Sequence, residues 1–455
     1  MKNIFLFFSL SSTLFSQNWD SLALKKIYNY YLTQSNCYNN LEFLTTKIGC
    51  RLSGSPQAEK AVYWAKKAMY AAGADTVILQ PCMVPHWVRG QKEKCLIYSD
   101  KFKQPIALKA VALGSSSGTG NAGIKALVIE VKSFEELDQL GENNLKGKIV
   151  FYNVFFDQSL ISTGNAYGGT VLYRAKGASC AARYGAVATV VRSMTSVADD
   201  EPHTGNMFYD TSLSKNKIPA FALSYKAADA LSNALKNDPK TKLLLESHCQ
   251  TLANVLSYNV VGQIFGSEKP DEYVVVGGHL DSWDLGQGAH DNGTGVVQSI
   301  EMLGMFKKLG MQPKHSIRAI AFMNEENGTA GGKAYAQSAA DKKEKHLAAL
   351  ETDAGGFTPR GFGVDTTLGL YNRVVQWKKL FSPYLIDRFN IGGGGADLSA
   401  LRNSGVPCIG FETDGQRYFD IHHTAQDTFD KVNKRELALS AAAIGALIYL
   451  LDLSY

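Results

Sequence analysis

The chain has 455 residues, of which 45% are hydrophobic, and its formal net charge is +5. A chain of this length and hydrophobic content buries a large core, and it commonly divides into two domains. The lysines and arginines are scattered, and no basic run is interleaved with aromatic residues. The composition therefore argues against a nucleic-acid partner.

The first residues have the layout of a secretory signal peptide. Lys2 precedes an apolar stretch from Ile4 to Phe15, and the small Ser16 comes before the polar sequence "QNWD". The apolar stretch is too short to span a bilayer. We expect residues 1–16 to be a cleavable signal peptide and the mature protein to be secreted or periplasmic.

The next segments change from helical to strand-like and then to Gly- and Ser-rich composition. Helical apolar spacing occurs in "SLALKKIYNYYL" and "SPQAEKAVYWAKKAMYAAG", and the strand-like runs "TVILQPCMV" and "KCLIYSD" follow. The sequence "ALGSSSGTGNAG" at 112–123 then indicates a crossing between domains.

The last 200 residues alternate strand and helix patterns, which predicts an open α/β sheet. The predicted strands are "YVVVGG", "SIRAIAFM", "AALETDA" and "VPCIGFE", and helices are expected to begin near Thr294, Gly331 and Arg435. The final helix, "ELALSAAAIGALIYLLDL", is apolar almost all round but falls short of the ~20 residues of a membrane span. We predict a buried core helix and no membrane span.

Side chains that suit zinc follow four of these predicted strand ends. They are His279, Asp281 and Asp291, then Glu325 and Glu326, then Asp353, and finally His422 and His423. Imidazole nitrogens and carboxylate oxygens are ligands of Zn²⁺, and ligands bind at the carboxyl ends of strands in open α/β sheets. Each group alone could be a turn, a helix cap or a surface pair, but four in succession predict one metal site.

These motifs carry a resemblance to a known family. The sequences "GGHLDS", "GAHDNGTG", "FMNEENGTAGG", "LETDAGG" and "HHTAQDT" match, in order and approximate spacing, the zinc exopeptidases of peptidase clan MH. The chain is most similar to the carboxypeptidase Q branch, because "GCRLSGS", "VPHWVRG" and "GGGGADLSALRNSGVPCIGF" match it as well. The segment with "GKIVFYNV", "GAVATVV" and "IPAFALS" resembles the protease-associated domain.

The resemblance implies an α/β fold, in which a mixed open sheet of the zinc-exopeptidase type has helices on both faces. It further implies that residues 17–111 form the N-terminal part of the catalytic domain. Residues 112–250 would be the inserted protease-associated domain, a lid without chemistry of its own, and residues 251–455 would complete the catalytic zinc peptidase domain.

The resemblance also implies two Zn²⁺ ions per chain. One is expected on His279 and Asp353 and the other on Glu326 and His423, with Asp291 bridging both. The general base would be Glu325, acting on a metal-bridging water. Because successive side chains on an extended segment point to opposite sides, we expect Glu325 and Glu326 to face different groups.

Four further expectations concern residues around the metals. The carboxylate of Asp281 is expected to orient the imidazole of His279. We choose His423 over His422 as the ligand because it precedes Thr in "HTAQDT", where the family has its ligand. His422 would then contact substrate or pack, and Asp397 would help to shape the substrate pocket. The bond after Asp291 matches a position where the family has a cis peptide.

The expected function is hydrolysis of short peptides or dipeptides by a secreted dinuclear zinc exopeptidase. Alternatives are an aminopeptidase that trims longer peptides, a catalytically inactive binding protein, and a single-zinc glutaminyl cyclase. The complete set of ligands and the base argue against the last two. The side chain that recognises a substrate terminus is not identifiable from the motifs, so the end preference stays open. The similar family members suggest a homodimer.

Overall fold

The structure is a computed structural model that describes residues 20–455. The predicted signal peptide, residues 1–16, lies outside the described residues. The strands are β1 (Thr76–Val88), β2 (Lys94–Tyr98), β3 (Ile106–Ala107), β4 (Ala110–Ala112), β5 (Ile124–Val131), β6 (Ile149–Tyr152), β7 (Ala188–Arg192), β8 (Ala220–Leu223), β9 (Lys242–Glu246), β10 (Gln250–Ile264), β11 (Lys269–His279), β12 (His315–Phe322), β13 (Lys345–Glu351), β14 (Pro359–Val364), β15 (Arg388–Ile391) and β16 (Cys408–Thr413).

The helices alternate with these strands in the second half of the chain. They are α1 (20–33), α2 (Cys37–Glu42), α3 (Pro56–Ala72), α4 (Phe134–Leu145), α5 (Thr163–Gly168), α6 (Val171–Ala175), α7 (Gly177–Ala182), α8 (Tyr225–Asn237), α9 (Thr294–Lys308), α10 (Ala330–Asp341), α11 (Leu370–Val374), α12 (Lys378–Phe381), α13 (Ser399–Asn403), α14 (Tyr418–Ile421) and α15 (Lys434–Ser454).

One eight-stranded mixed sheet has the order β1-β10-β12-β11-β13-β16-β14-β15. Its four central strands β12, β11, β13 and β16 are parallel neighbours, so their carboxyl ends meet at the same edge. These are the four strands predicted from the hydrophobic runs, and the prediction is confirmed. The helices expected near Thr294, Gly331 and Arg435 begin within one residue of those positions.

Helices cover both faces of this sheet, as predicted. Val274 and Val276 of β11 face one core, which they share with apolar side chains of α3, α9 and α15. Val275, between them, faces a second core with residues of α10 and α13. This alternation follows from the pleat of a strand, and burial on both faces accounts for the continuous hydrophobic runs in the sequence.

The second eight-stranded sheet has the order β3-β2-β9-β5-β6-β7-β8-β4. It also has a core on each face: Phe151 packs in one with α8, and Tyr152 packs in the other with α4 and α7. The sheet begins with β2 at Lys94, whereas the inserted domain was predicted to begin at residue 112. The Gly- and Ser-rich segment is therefore a loop within this sheet's part of the chain. The division into domains stays a prediction.

Among residues 20–455, only α15 has the length and hydropathy of a membrane-spanning helix, and 78% of its most apolar window is buried inside the protein. Its apolar side chains, such as Ile444 and Leu447, belong to the core shared with α9. The seven cysteines are unpaired, and Cys408 is buried.

Candidate metal centre

The centre of the site is Asp291, which lies in the loop between β11 and α9. Its Oδ1 atom is 3.1 Å from Nε2 of His279, the last residue of β11. Its Oδ2 atom is 3.2 Å from Nε2 of His423. The peptide bond between Asp291 and Asn292 is cis. One carboxylate thus faces two imidazoles, one with each oxygen.

A further carboxylate accompanies each of these histidines. The Oδ1 atom of Asp353, two residues after β13, lies 3.5 Å from Nε2 of His279. The Oε2 atom of Glu326, in the turn after β12, lies 3.2 Å from Nε2 of His423. The strand ends thus bring together two imidazole–carboxylate pairs with Asp291 between them, which is the arrangement expected from the sequence.

The donor set fits metal ions. The pKa of Glu326 is raised to about 7, because burial and the negative charge of Asp291 outweigh the lowering effect of His423. Several buried atoms that point into the cluster lack a hydrogen-bond partner, and unpartnered buried polar atoms are rare without a ligand or ion. These atoms are Nε2 of His279, Oδ2 of Asp291 and Oδ1 of Asp353. Cations at these positions would satisfy all three.

His422 and His423 both reach the cluster. Their rings stack with centroids 3.6 Å apart, and Nε2 of His422 is 3.5 Å from Oδ2 of Asp291. His422 also packs against Tyr167 and Tyr418. Burial lowers the pKa of His422 well below its usual value, and the neighbouring positive charge of His423 lowers it further. The distances alone permit either imidazole to bind a metal, but only His423 also has a second carboxylate within hydrogen-bond distance.

Glu325 lines the cavity above the cluster. Burial raises its pKa well above the usual range, His279 lowers it, and the charges of Asp353 and Glu326 raise it further. Glu325 and Glu326 both line this cavity, and the strand alternation from which separate roles were expected does not apply to them. Both residues lie in a turn after β12, which follows Asn324 in the left-handed region at φ +75°.

Asp281 contacts His279 in a different way from the one predicted. Its main-chain carbonyl lies 3.0 Å from Nδ1 of His279, whereas its carboxylate is 4.0 Å from that nitrogen. The carboxylate oxygen Oδ1 instead accepts hydrogen bonds from the amides of Asn324, at 2.7 Å, and Glu325, at 3.1 Å. Asp281 therefore orients the imidazole through its backbone and fixes the glutamate turn through its side chain.

Asp397 is not among the residues that line the cavity at the acidic cluster. It is 1% exposed, and neither carboxylate oxygen has a hydrogen-bond partner. Its neighbour Leu398 donates its amide to Glu351 at 3.0 Å. Burial raises the pKa of Asp397 well above its usual value, and the charge of Glu351 raises it further. Asp397 therefore has no direct access to the cavity. Its role in shaping the substrate pocket stays a prediction.

A cavity of about 310 Å³ opens onto the cluster. One wall carries residues of the first sheet's segment, including Glu325, Asp353 and Tyr418. The part of the chain that builds the second sheet contributes Tyr167, Arg174 and Asn206 to the lining. This segment therefore contributes a guanidinium to the cavity lining, and the expectation that it carries no chemistry of its own stays a prediction.

Comparison with known proteins assigns the family. Residues 259–448 match the model of peptidase family M28. Carboxypeptidase Q of Mus musculus is 34% identical over 438 residues, which cover 95% of this chain and 89% of that protein. The chain belongs to peptidase family M28. It is a metallopeptidase of the carboxypeptidase Q type by similarity.

Solved structures of the family agree with this assignment. A peptidase M28 precursor from Shewanella amazonensis SB2B has a TM-score of 0.89 and 33% identity, and the match covers 96% of this chain and 97% of that one. A zinc aminopeptidase from Bacillus subtilis has a TM-score of 0.66 at 22% identity, covering 91% of this chain and 94% of that chain, and shares the fold.

Two charged residues that support this M28 site were not identified from the sequence. Asp427 accepts the amides of His290, at 2.7 Å, and Asp291, at 3.1 Å, and so holds the central loop. The guanidinium of Arg51 is fully buried and donates to three main-chain carbonyls of the loop between the ligand segments. They belong to Leu280, Gln287 and Gly288, at 2.5, 2.8 and 2.9 Å.

The sequence contained signals for both residues. Asp427 is the aspartate of the quoted "HTAQDT", and Arg51 is the arginine of "GCRLSGS". Their roles are main-chain contacts with distant loops, which residue type and spacing do not reveal. Arg174 and Thr204, which also contact the site, lie in segments that contain no catalytic motif.

Proposed function

We propose that this M28 metallopeptidase is a secreted dinuclear zinc exopeptidase that hydrolyses short peptides or dipeptides with a free C-terminal carboxylate. The observation that carries the proposal is the position of Asp291 between two imidazole–carboxylate pairs. One zinc would bind to His279 and Asp353 and the other to Glu326 and His423, with the carboxylate of Asp291 shared. A shared carboxylate is typical of paired metal ions in hydrolases.

Bound zinc supplies Lewis acidity, which polarises a peptide carbonyl and makes a water molecule more acidic. Glu325 is the proposed general base. Its carboxylate accepts a proton from the attacking water and returns that proton to the leaving amine. Burial raises the pKa of Glu325, which makes its carboxylate a stronger proton acceptor.

Asp281 and Arg51 position these groups. Asp281 accepts the amide of Glu325, so it fixes the base, and its carbonyl orients His279. Arg51 holds the loop that leads to Asp291. Such contacts keep ligand orientation constant and raise metal affinity.

The second sheet is proposed to be the protease-associated domain, inserted into the peptidase domain as a wall of the substrate cavity. Two contacts support this role. Tyr167 stacks on Phe419 of α14, with ring centroids 4.6 Å apart, and Thr163 donates to the carbonyl of Gly415 at 2.8 Å. The cavity is small, which favours peptides of a few residues over long chains.

The proposed end preference is based on Arg174. Its side chain is buried, at 8% exposure, and its Nε has no hydrogen-bond partner. Among residues 20–455, no carboxylate lies within 4.0 Å of its guanidinium. A buried, unpaired cation is costly, and a guanidinium binds a carboxylate with two hydrogen bonds. A substrate carboxylate entering the cavity would supply that missing partner, which favours carboxypeptidase or dipeptidase activity.

The test compares matched substrates. Purified protein is assayed on a dipeptide panel and on the same dipeptides with amidated C-termini, with and without chelator. We expect chelator-sensitive hydrolysis and a preference for the free carboxylate. Arg174→Gln should reduce kcat/KM for free dipeptides about 10- to 100-fold, since a hydrogen bond to a charged group contributes roughly 1.5–3 kcal/mol. It should leave the amidated substrates nearly unchanged.

Two results would contradict the proposal. Equal losses on free and amidated substrates would mean that Arg174 balances the charge of the acidic cluster and does not read the substrate terminus. Efficient cleavage of aminoacyl-nitroanilides, which have no carboxylate at that end, would instead favour the aminopeptidase alternative.

A further inference from the structure

A loop of the second sheet's segment, residues 203–206, touches the predicted ligand His423 through its backbone. The amide of Thr204 donates to the carbonyl of His423 at 3.0 Å. The Nδ1 atom of His423 lies 3.3 Å from the carbonyl of Thr204. Thr204 thus contacts both the carbonyl and the ring of His423. The φ of His423 is +62°, in the left-handed region, which is unusual for a residue other than glycine.

The loop is itself anchored at the junction of the two sheets. The hydroxyl of Thr204 donates to the carbonyl of Ala112 at 3.0 Å and accepts from Nη2 of Arg89 at 3.3 Å. Arg89 in turn forms a bidentate ion pair with Asp284. Its Nη2 donates to Oδ1 at 2.7 Å and its Nε donates to Oδ2 at 2.8 Å. Asp284 belongs to the loop after β11, which leads to the predicted ligand Asp291. Arg89 therefore connects the 203–206 loop to that loop.

Gly205 lies between Arg174 and His423, and an added side chain would force one of them to shift. A Cβ atom at this position would lie 2.5 Å from Nη1 of Arg174 and 2.6 Å from Nδ1 of His423. Its φ of +133° is also a conformation that L side chains rarely adopt. The absence of a side chain allows the backbone to approach the imidazole closely enough for the Thr204 contact.

We propose that the 203–206 loop is a positioning element of the metal centre, which sets the tautomer and orientation of His423. The inference rests on the dinuclear function proposed above. With Nδ1–H donated to the Thr204 carbonyl, the unprotonated nitrogen is Nε2, which faces Asp291 and Glu326. Partners of the second ring nitrogen fix a metal-binding histidine in this way. The second sheet's segment therefore contributes to metal affinity as well as to the cavity wall.

The first test is Gly205→Ala, with Gly147→Ala as the matched control. Gly147 lies in the same segment, also has a positive φ of +73°, and has open space where a Cβ would be added. Zinc binding to the metal-free full chain is measured by calorimetry. We expect wild type and the control to bind two ions, and Gly205→Ala to bind one with its affinity retained and the other about 10- to 100-fold more weakly.

A second, milder variant and its control keep the test decisive if Gly205→Ala does not fold. Thr204→Val removes the hydroxyl that anchors the loop but keeps its shape. The control is Thr241→Val, because Thr241 is also fully buried in this segment and its hydroxyl donates to the Asp238 carbonyl at 2.7 Å. Both changes should lower the melting temperature in chelator. Only Thr204→Val should reduce the additional rise in melting temperature that zinc produces.

The outcomes separate the two proposals. If wild type binds fewer than two zinc ions, the dinuclear function is wrong, and this inference is wrong with it. If wild type binds two ions and both Gly205→Ala and Thr204→Val match their controls in affinity and zinc-dependent stabilisation, the positioning role of the loop is wrong while the proposed function remains.

Discussion

The Nε2 atom of His423 lies 3.2 Å from Oε2 of Glu326, and the same nitrogen is 3.2 Å from Oδ2 of Asp291. His422, stacked against His423, is 3.5 Å from that aspartate oxygen and has no further carboxylate within 4.0 Å among residues 20–455. We therefore predict that His423→Ala removes one zinc ion, because two ligands remain where three are needed. His422→Ala should keep both ions. Metal content by mass spectrometry measures this, and the reverse pattern would identify His422 as the ligand.

Glu325→Gln should abolish most of the turnover while the metals stay bound. Glutamine keeps the size of the side chain but cannot accept the proton of the attacking water, and a general base contributes about 10²- to 10⁴-fold to the rate. We expect kcat to fall within that range and zinc content to equal that of wild type. Near-normal turnover in a fully metallated variant would assign the proton transfer to another group.

Removal of metal should lower stability as well as activity. The buried carboxylates of Asp291 and Glu326 repel each other without a cation, and a ligand that binds only the folded state raises its stability by mass action. We expect chelator to abolish hydrolysis and to lower the melting temperature, and stoichiometric zinc to restore both. Scanning calorimetry measures this. An unchanged melting temperature after verified removal of metal would show that the acidic cluster is stable without cations.

His203 should make the protein sensitive to mild acid. Burial lowers its pKa to about 3, and neither ring nitrogen has a hydrogen-bond partner among residues 20–455. The unfolded chain, with a histidine pKa of about 6.5, binds this proton first as the pH falls. The contribution of His203 to the free energy of unfolding is therefore present above pH ~6.5 and is lost between pH ~6.5 and about 3, by up to ~1.4 kcal/mol per pH unit.

The variant His203→Leu tests this pH dependence, because leucine cannot take up a proton. Urea unfolding in chelator, followed by tryptophan fluorescence, gives the free energy of unfolding of both proteins at several pH values. We expect the wild-type value to decrease more steeply than that of the variant as the pH falls below 6.5. Parallel profiles would mean that His203 accepts a proton in the folded protein without cost.

The strand pattern and the zinc-compatible side chains that follow the strands could be predicted because both are local. A strand buried on both faces needs a continuous apolar run, and the polar residues directly after such runs, including His279 and Asp353, must lie at one edge of a parallel sheet. The sheet confirms that logic, with β12, β11, β13 and β16 as neighbours. Neighbouring strand ends therefore bring His279 close to Asp353 without any further assumption.

The contacts that complete the site could not be predicted in the same way. Arg174 precedes every proposed ligand by more than 100 residues and Thr204 precedes every one by at least 75, and no catalytic motif surrounds them. Asp281 was correctly placed near His279, but which of its atoms makes the contact depends on the turn geometry. The strand alternation expected for Glu325 and Glu326 likewise does not apply, because both residues lie in a turn.

The sequence by itself determined the first sheet's central strands, the helices on both of its faces and the zinc-compatible side chains at its edge. Hydrophobic periodicity and residue type, on which these features depend, are local properties of the sequence. Only the tertiary structure decided that Tyr167, Arg174 and Asn206 line the cavity at the acidic cluster and that Thr204 contacts His423. These contacts depend on how the segments that form the two sheets pack against each other. No short segment of the sequence encodes that packing.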